Sequence, residues 1–391
     1  MKAKGAENPK VSFVIPCYKL AHLLGECIRS ILAQSYKDFE ILILDDASPD
    51  NAAEVAGSFD DARVQYIRNP TNLGNLENYN KGIHLSRGAY VWLISADDYL
   101  IEPDALGRFV ATMDANPNVG YCFCPAIGVR GGKRVGVSGS FGDRDCIASG
   151  DAVLEKLFEH NFILAPSVLV RRTCYEQISV FPLEAKWHDV DVNMRWLGDW
   201  YLWCVFALAH DVAYFAQPMV CYREHELSMS QSITQKEIVQ SCADSDLGML
   251  WIVRQRAIEM GRNDVAASCL RGIANEYRRQ ATGKVFRAST YFISEPHFES
   301  SLSNSTDSEK EKRIIRTAAY QGFADMHVSQ GQKTRAWRSY FKALRCNPFA
   351  IKIYVKLLLL PLGSLGSQLR AMARVRWAAA SGPQKVDQVS G

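Results

Sequence analysis

Several familiar signatures are missing from this chain of 391 residues, and each absence removes a class of function. No apolar run approaches the ~20 residues that a spanning helix needs. The longest aliphatic stretch, residues 357–362, is interrupted by Pro361. The opening MKAKGAENPK leads straight into a β-rich run and not into the apolar core of a secretory leader, which predicts a cytoplasmic location. No Gly-x-Gly-x-x-Gly follows the first strand-like segment, and no Gly-x-x-x-x-Gly-Lys-Ser/Thr occurs, so dinucleotide and P-loop sites lose their main support. Any phosphates would be held through metal and not by a glycine cradle. The eleven cysteines are odd in number and scattered, several of them inside apolar runs (Cys17, Cys174, Cys204, Cys221). That is the pattern of reduced core thiols, not of a disulfide framework. Cys122-x-Cys124 lacks the second pair or nearby His of a zinc site.

Acid is scarce at one end. Residues 331–391 hold 11 Lys and Arg against one acid, Asp387, so a net charge of +3 hides a +10 tail on a −7 body. With 48% hydrophobic and 22% charged residues, the composition excludes a mainly disordered, collagenous or multi-span membrane protein. At ~150 residues per domain the length predicts two domains, or one with a large appendage.

What is present is an alternation. Residues 11–16 (VSFVIP), 39–44 (FEILIL) and 90–94 (YVWLI) are continuous apolar runs, as strands buried on both faces should be. Helical patterns fall at 21–34, 51–58 and 78–86, with a further strand at 64–67. Strand-helix alternation predicts an α/β fold with a mainly parallel sheet. Turns or hairpins are expected at 128–142, helices at 151–160, 174–178 and 199–210, and strands at 166–171 and 212–215. From about residue 236 the pattern is helical, with the polar stretch 300–312 expected as a loop. Ligands of parallel sheets sit beyond the carboxyl ends of strands, where Cys17-Tyr18-Lys19, Asp45-Asp46 and Asp97-Asp98 fall. Adjacent carboxylates repel unless a cation or donor lies between them, and Mg²⁺ or Mn²⁺ with few carboxylates bridges readily to substrate phosphates. The acidic pairs therefore point to a nucleotide-diphosphate site.

The residues also match a family. The segment VSFVIPCYKLAHLLGECIRSILAQSYKDFEILILDDASPD resembles the opening of family-two glycosyltransferases of the GT-A fold. The likeness continues through NPTNLGNLENYNKGIHLSRGAYVWLISADDYLIEPDAL, GDWYLW and YREHELSMS, over about residues 9–230. It implies a GT-A domain over residues 1–235 and an all-helical region with a basic tail over 236–391. By the same resemblance Pro16 and Tyr18 border the nucleotide base, Asp46 accepts from its ring N–H, and Asp45 with the turn from Asn72 to Gly74 frames that pocket. The family's metal motif falls on Ser95-Ala96-Asp97-Asp98, with Ser95 where an Asp is commoner. Asp97 and Asp98 divide between metal and ribose, and a loop His, here His225, reaches the metal or the diphosphate. Asp199 matches the general base, with Gly198 in place of the usual preceding Glu. Asp199 also reads as the N-cap of the helix after it, which would keep its carboxylate ionised. Arg223 either offsets diphosphate charge or pairs with a nearby acid.

These roles imply an inverting transfer of a sugar from a nucleotide-diphosphate donor to a glycan or glycolipid hydroxyl in bacterial surface polysaccharide synthesis. Asp199 would take the acceptor proton in a single displacement. Two other readings stay open: a non-catalytic nucleotide-sugar-binding scaffold, which Ser95 and Gly198 allow, and a nucleotidyltransferase, whose usual Gly/Arg/Lys-rich loop is lacking in CYKLAH. In the tail, residues 318–348 faintly resemble one tetratricopeptide-type hairpin, too few for a solenoid. Lys352, Lys356, Arg370, Arg374, Arg376 and Trp377 around 350–380 fit either a peripheral contact with an anionic membrane on its inner face or a helix packed on the body. No base-reading module accompanies the charge, so no nucleic-acid partner is expected.

Overall fold

The computed structural model describes residues 8–178, 181–188, 190–225, 236–283 and 292–361. They form two compact units, residues 1–272 and 273–391.

The first unit begins with β1 (Val11–Cys17), α1 (Ala21–Leu32), β2 (Phe39–Asp45), α2 (Ala52–Gly57), β3 (Val64–Arg68), α3 (Asn75–Leu85) and β4 (Tyr90–Leu93). There follow β5 (Tyr99–Leu100), α4 (Ala105–Ala115), β6 (Val119–Phe123), β7 (Ala126–Arg130), β8 (Lys133–Ser138), β9 (Cys146–Ala148) and α5 (Gly150–Leu157). Next come β10 (Val168–Arg171), α6 (Arg172–Ile178), β11 (Ala185–Trp187), β12 (Val190–Val192), α7 (Met194–Ala209), β13 (Asp211–Tyr214), β14 (Val220–Glu224) and α8 (Lys236–Glu259). The helices α9 (Asn263–Thr282), α10 (Glu295–Ser305), α11 (Glu309–Ser329), α12 (Lys333–Cys346) and α13 (Ile351–Leu359) complete the chain. The expected α/β class with a helical C-terminal region is what the chain adopts.

The large sheet has the order β3-β2-β1-β4-β10-β6-β13-β9. Its strands run parallel except for β10 and β9, which are antiparallel to their neighbours. β1 and β2 are buried at every position, because helices cover both faces of the sheet. Phe13, Trp92, Phe109 and Phe215 stack through the core at centroid distances of 5.4, 4.9 and 4.7 Å. The chain leaves β1 on one side for β2 and β3 and returns on the other for β4, so strand order reverses between β1 and β4. A crevice opens at such a reversal beyond the carboxyl ends of the strands. A second sheet, β5-β14-β7-β8, pairs Cys221 with Tyr99 and brings Arg223 over the Tyr99 ring.

Two local expectations are corrected. Asp199 is not a helix cap: α7 starts upstream at Met194, where the Asn193 side chain accepts from Arg195 N at 3.1 Å. The polar stretch 300–312 is mostly helical, because the Ser308 side chain caps α11 and confines the connection to residues 306–308. The expected hairpin near 128–142 is the β7–β8 pair. Arg370, Arg374, Arg376 and Trp377 of the basic tail lie outside the described residues.

Candidate active site

Backbone bonds join the three strand ends. Pro16 O accepts from Ala96 N at 3.3 Å, and Cys17 O accepts from Asp46 N at 2.9 Å. Pro16 is buried in β1, whereas Tyr18 just beyond it is 42% exposed with Lys19 Nζ 5.1 Å from its ring centroid. Asp45 is wholly buried; Oδ1 accepts from Ser48 N at 2.7 Å, and Oδ2 accepts from Tyr66 and Arg68. Asp46 accepts from Asn69 Nδ2 (2.8 Å), Leu73 N (2.7 Å) and Gly74 N (3.0 Å), and Asn72 Nδ2 donates to its carbonyl at 3.1 Å. The Asp46 carboxylate thus holds the 69–74 loop against the sheet, while that of Asp45 ties the end of β3 to the turn after β2. Gly74 has φ +83°, a conformation that favours glycine, and leads directly into α3.

The second cluster lies beyond β4. Asp97 Oδ2 is 2.8 Å from His225 Nε2, while its Oδ1 is buried with no hydrogen-bond partner among the described residues. Asp98 Oδ1 accepts from Arg223 N at 2.9 Å. Burial, reinforced by the charge of Asp97, pushes the Asp98 carboxyl well above the usual range, against the pull of Arg223. Arg223 pairs with Glu26 at 2.5 Å and lies over Tyr99, 4.6 Å from the ring centroid. Its Nη1 is buried with no hydrogen-bond partner among the described residues. Asp98, bonded by Arg223 N, therefore has an unmatched acceptor on its neighbour Asp97 and an unmatched donor on Arg223. Of the two sequence expectations for Arg223, the pairing with a nearby acid is met by Glu26.

Asp199 enters from α7. Its Oδ2 accepts from Asn161 Nδ2 at 3.1 Å and its Oδ1 from Trp200 N at 2.7 Å. Gly198 is packed tightly, since a Cβ there would lie 2.8 Å from Phe181 Cδ1 and 3.3 Å from Leu76 Cδ2. The position usually taken by Glu has no room for one as the residues stand. Tyr79 on α3 links the clusters. Its desolvation and the charges of Asp97, Asp199 and Asp98 around it hold the hydroxyl above the ordinary tyrosine range. The charges of the base candidate and of the Asp97-Asp98 pair thus all act on Tyr79. Tyr79 and Asn161 carried no sequence signal; only the fold brings them to the carboxylates.

The donor set fits a hard cation in part. Asp97 and His225 are placed beside each other, but the described residues contain no group of three or more His, Cys, Asp or Glu side chains arranged to enclose a metal. An Mg²⁺ or Mn²⁺ that keeps waters and substrate phosphate oxygens needs no such cage.

Residues 12–160 match the family model described as Glycosyl transferase family 2. The chain carries a family 2 glycosyl transferase domain. That domain contains both acidic pairs, and Asp199, Arg223 and His225 lie beyond the matched residues. Glycosyltransferase GlyG of Streptococcus pneumoniae is 32% identical over 114 residues, 28% of this chain and 38% of GlyG. GlyA of the same organism is 24% identical over 335 residues, covering 81% of this chain and 45% of GlyA. The chain thus spans less than half the length of either. Among solved structures, that of Staphylococcus aureus TarS 1-349 in complex with UDP-GlcNAc aligns with a TM-score of 0.54 at 14% identity. The alignment covers 86% of this chain and 89% of TarS 1-349. The family 2 domain accordingly has the expected GT-A fold.

Proposed function

We propose that this protein is an inverting glycosyltransferase, moving a sugar from a nucleotide-diphosphate donor to a hydroxyl of a glycan or glycolipid acceptor. The observation that carries the reading is the pair of unmatched buried atoms, Asp97 Oδ1 and Arg223 Nη1, whose residues neighbour or bond Asp98, with the charges of Asp97, Asp98 and Asp199 all acting on Tyr79. One calls for a cation and the other for an anion, which a metal-bound diphosphate supplies together. Pro16, Tyr18, Asp45, Asp46, Asn72 and Gly74 border the nucleotide, and Arg223 meets the diphosphate.

Asp97, Asp98 and His225 would hold the Mn²⁺ or Mg²⁺, which when bound would offset charge developing on the diphosphate leaving group. Asp199, held by Asn161, accepts the proton of the acceptor hydroxyl as that oxygen attacks the anomeric carbon. Attack from the face opposite the leaving group inverts the configuration, and no carboxylate nucleophile is used. A role in bacterial surface polysaccharide synthesis, at the inner face of the membrane, belongs to the same proposal. No helix among the described residues is long and apolar enough to cross a membrane.

The test is a thermal-shift panel of nucleoside diphosphates and nucleotide-sugars with and without Mn²⁺, beginning with UDP-GlcNAc, which TarS binds. A shift with one nucleotide-sugar, followed by sugar transfer from it that Asp199→Asn abolishes, supports the proposal. No shift with any donor overturns it.

A further inference from the structure

The helical unit exposes apolar side chains that its own packing does not use. On α12, Ala336, Tyr340, Ala343 and Leu344 are buried, as an amphipathic helix requires. On α13 the inward side is supplied by Ile353 and Leu357. Yet Ile351 (72% exposed), Tyr354, Val355 and Leu358 (76%) also recur at helical spacing on the same helix. Trp337 and Phe341, one turn apart on α12 with ring centroids at 5.6 Å, are exposed too, and Phe349 in the connecting link is 89% exposed. A single exposed leucine needs no explanation, but seven large apolar residues within 337–358 do.

The charges on α12 and α13 themselves have one sign. The sequence has no acid between Asp325 and Asp387, while α12 carries Lys333, Arg335, Arg338, Lys342 and Arg345. Lys342 pairs with Glu295 and Lys356 with Asp325, but Arg338 and Arg345 make no ion pair among the described residues. Beside α12 lies an open cavity of about 390 Å³, with Arg335, Arg338, Lys342 and His327 against one acid, Glu295, among its lining residues. A cavity of that size and charge suits a phosphate-bearing headgroup.

We propose that the α12–α13 helix pair docks on a membrane containing anionic phospholipid. Trp337, Phe341, Ile351 and Leu358 enter the boundary between headgroups and acyl chains, and Arg338 and Arg345 meet lipid phosphates. A second copy of the same cationic surface would repel this one. The segment 362–391 is a poor cover for the same reason, because it carries Arg370, Arg374, Arg376 and Lys385 against Asp387 alone. The inference rests on the membrane part of the reading above and moves the contact from 350–380 to residues within 335–358; it is independent of the transfer chemistry.

The test is flotation of the full chain with phosphatidylcholine vesicles, with or without phosphatidylglycerol. Wild type should float only with the anionic vesicles. Ile351→Ser with Leu358→Ser, and separately Arg338→Glu with Arg345→Glu, should each weaken partitioning at least about tenfold. Unchanged circular dichroism and thermal melting establish that these exposed positions leave the fold intact. Wild-type binding retained by both double variants overturns the inference. If binding is then lost on Arg370, Arg374 and Arg376→Ala, the tail reading survives alone. Absence of binding by wild type overturns both, as does binding to neutral vesicles alone. A concentration-dependent dimer that Leu358→Ser dissolves also overturns the inference, assigning this surface to a second copy.

Discussion

His225 Nε2 lies 2.8 Å from Asp97 Oδ2 although 128 positions separate the two residues in sequence. The β14 strand delivers the imidazole to the end of β4, beside a carboxylate whose other oxygen is buried and unmatched. Mn²⁺ should therefore raise the melting temperature of the wild type, and chelation should reverse the gain. A concentration of 100 times Kd corresponds to about 2.7 kcal/mol. Asp97→Asn should abolish the gain and His225→Ala reduce it. An undiminished gain in Asp97→Asn would place the cation elsewhere.

Asp199→Asn should lower kcat by about 10²- to 10⁴-fold, the usual share of a general base. UDP affinity, measured by calorimetry, should not change. Asn161→Ala should cause a smaller loss of kcat with the same UDP affinity, because Asn161 holds the carboxylate and does not replace it. If the two variants transfer sugar at the wild-type rate, the base is another group.

Gly198→Ala sets two effects against each other. Alanine gains up to about 1 kcal/mol of helix propensity over glycine. The new Cβ, however, would meet Phe181 at 2.8 Å, and overpacking of this kind costs about 1 to 3 kcal/mol. Net destabilisation is expected in urea unfolding, with partial recovery when Phe181→Leu is added. A more stable Gly198→Ala variant would mean that Phe181 yields freely.

The opposite end of the sheet supplies a pH dependence. Burial pushes the Glu40 carboxyl up, but hydrogen bonds from Arg87 and Ser12 more than reverse this, leaving it below its ordinary 4.5. A depressed carboxylate contributes stability that is present above the unfolded value and lost as pH falls through the folded one. Glu40→Gln should therefore be less stable than wild type near neutral pH, and the gap should close below about pH 4. Urea midpoints across this range provide the measurement; a gap that widens in acid contradicts the assignment.

Much of the first hundred residues was legible because its signals are local. A strand covered on both faces must be apolar throughout, so VSFVIP and FEILIL announced β1 and β2, and Asp45-Asp46 and Asp97-Asp98 marked positions at or just beyond strand ends. Asp199 was legible as a residue but not in its setting. The apolar run after it resembled a helix start, whereas the Asn193 cap begins α7 earlier and places Asp199 inside the helix. The 300–312 stretch misled in a similar way, since polar composition described exposed helix faces and not a loop.

By itself, the sequence determined the fold class, the carboxylates at the strand ends and the cationic character of the C-terminal region, all of which follow from periodicity and charge along the chain. Tertiary structure alone decided that His225 reaches Asp97, that the Arg223 side chain pairs with Glu26 while its backbone N–H donates to the Asp98 carboxylate, and that the charges of three carboxylates act on Tyr79. It also decided that Phe181 fills the space beside Gly198. Such contacts join elements far apart in the chain, and the burial that leaves Asp97 Oδ1 and Arg223 Nη1 unmatched exists only once those elements have packed.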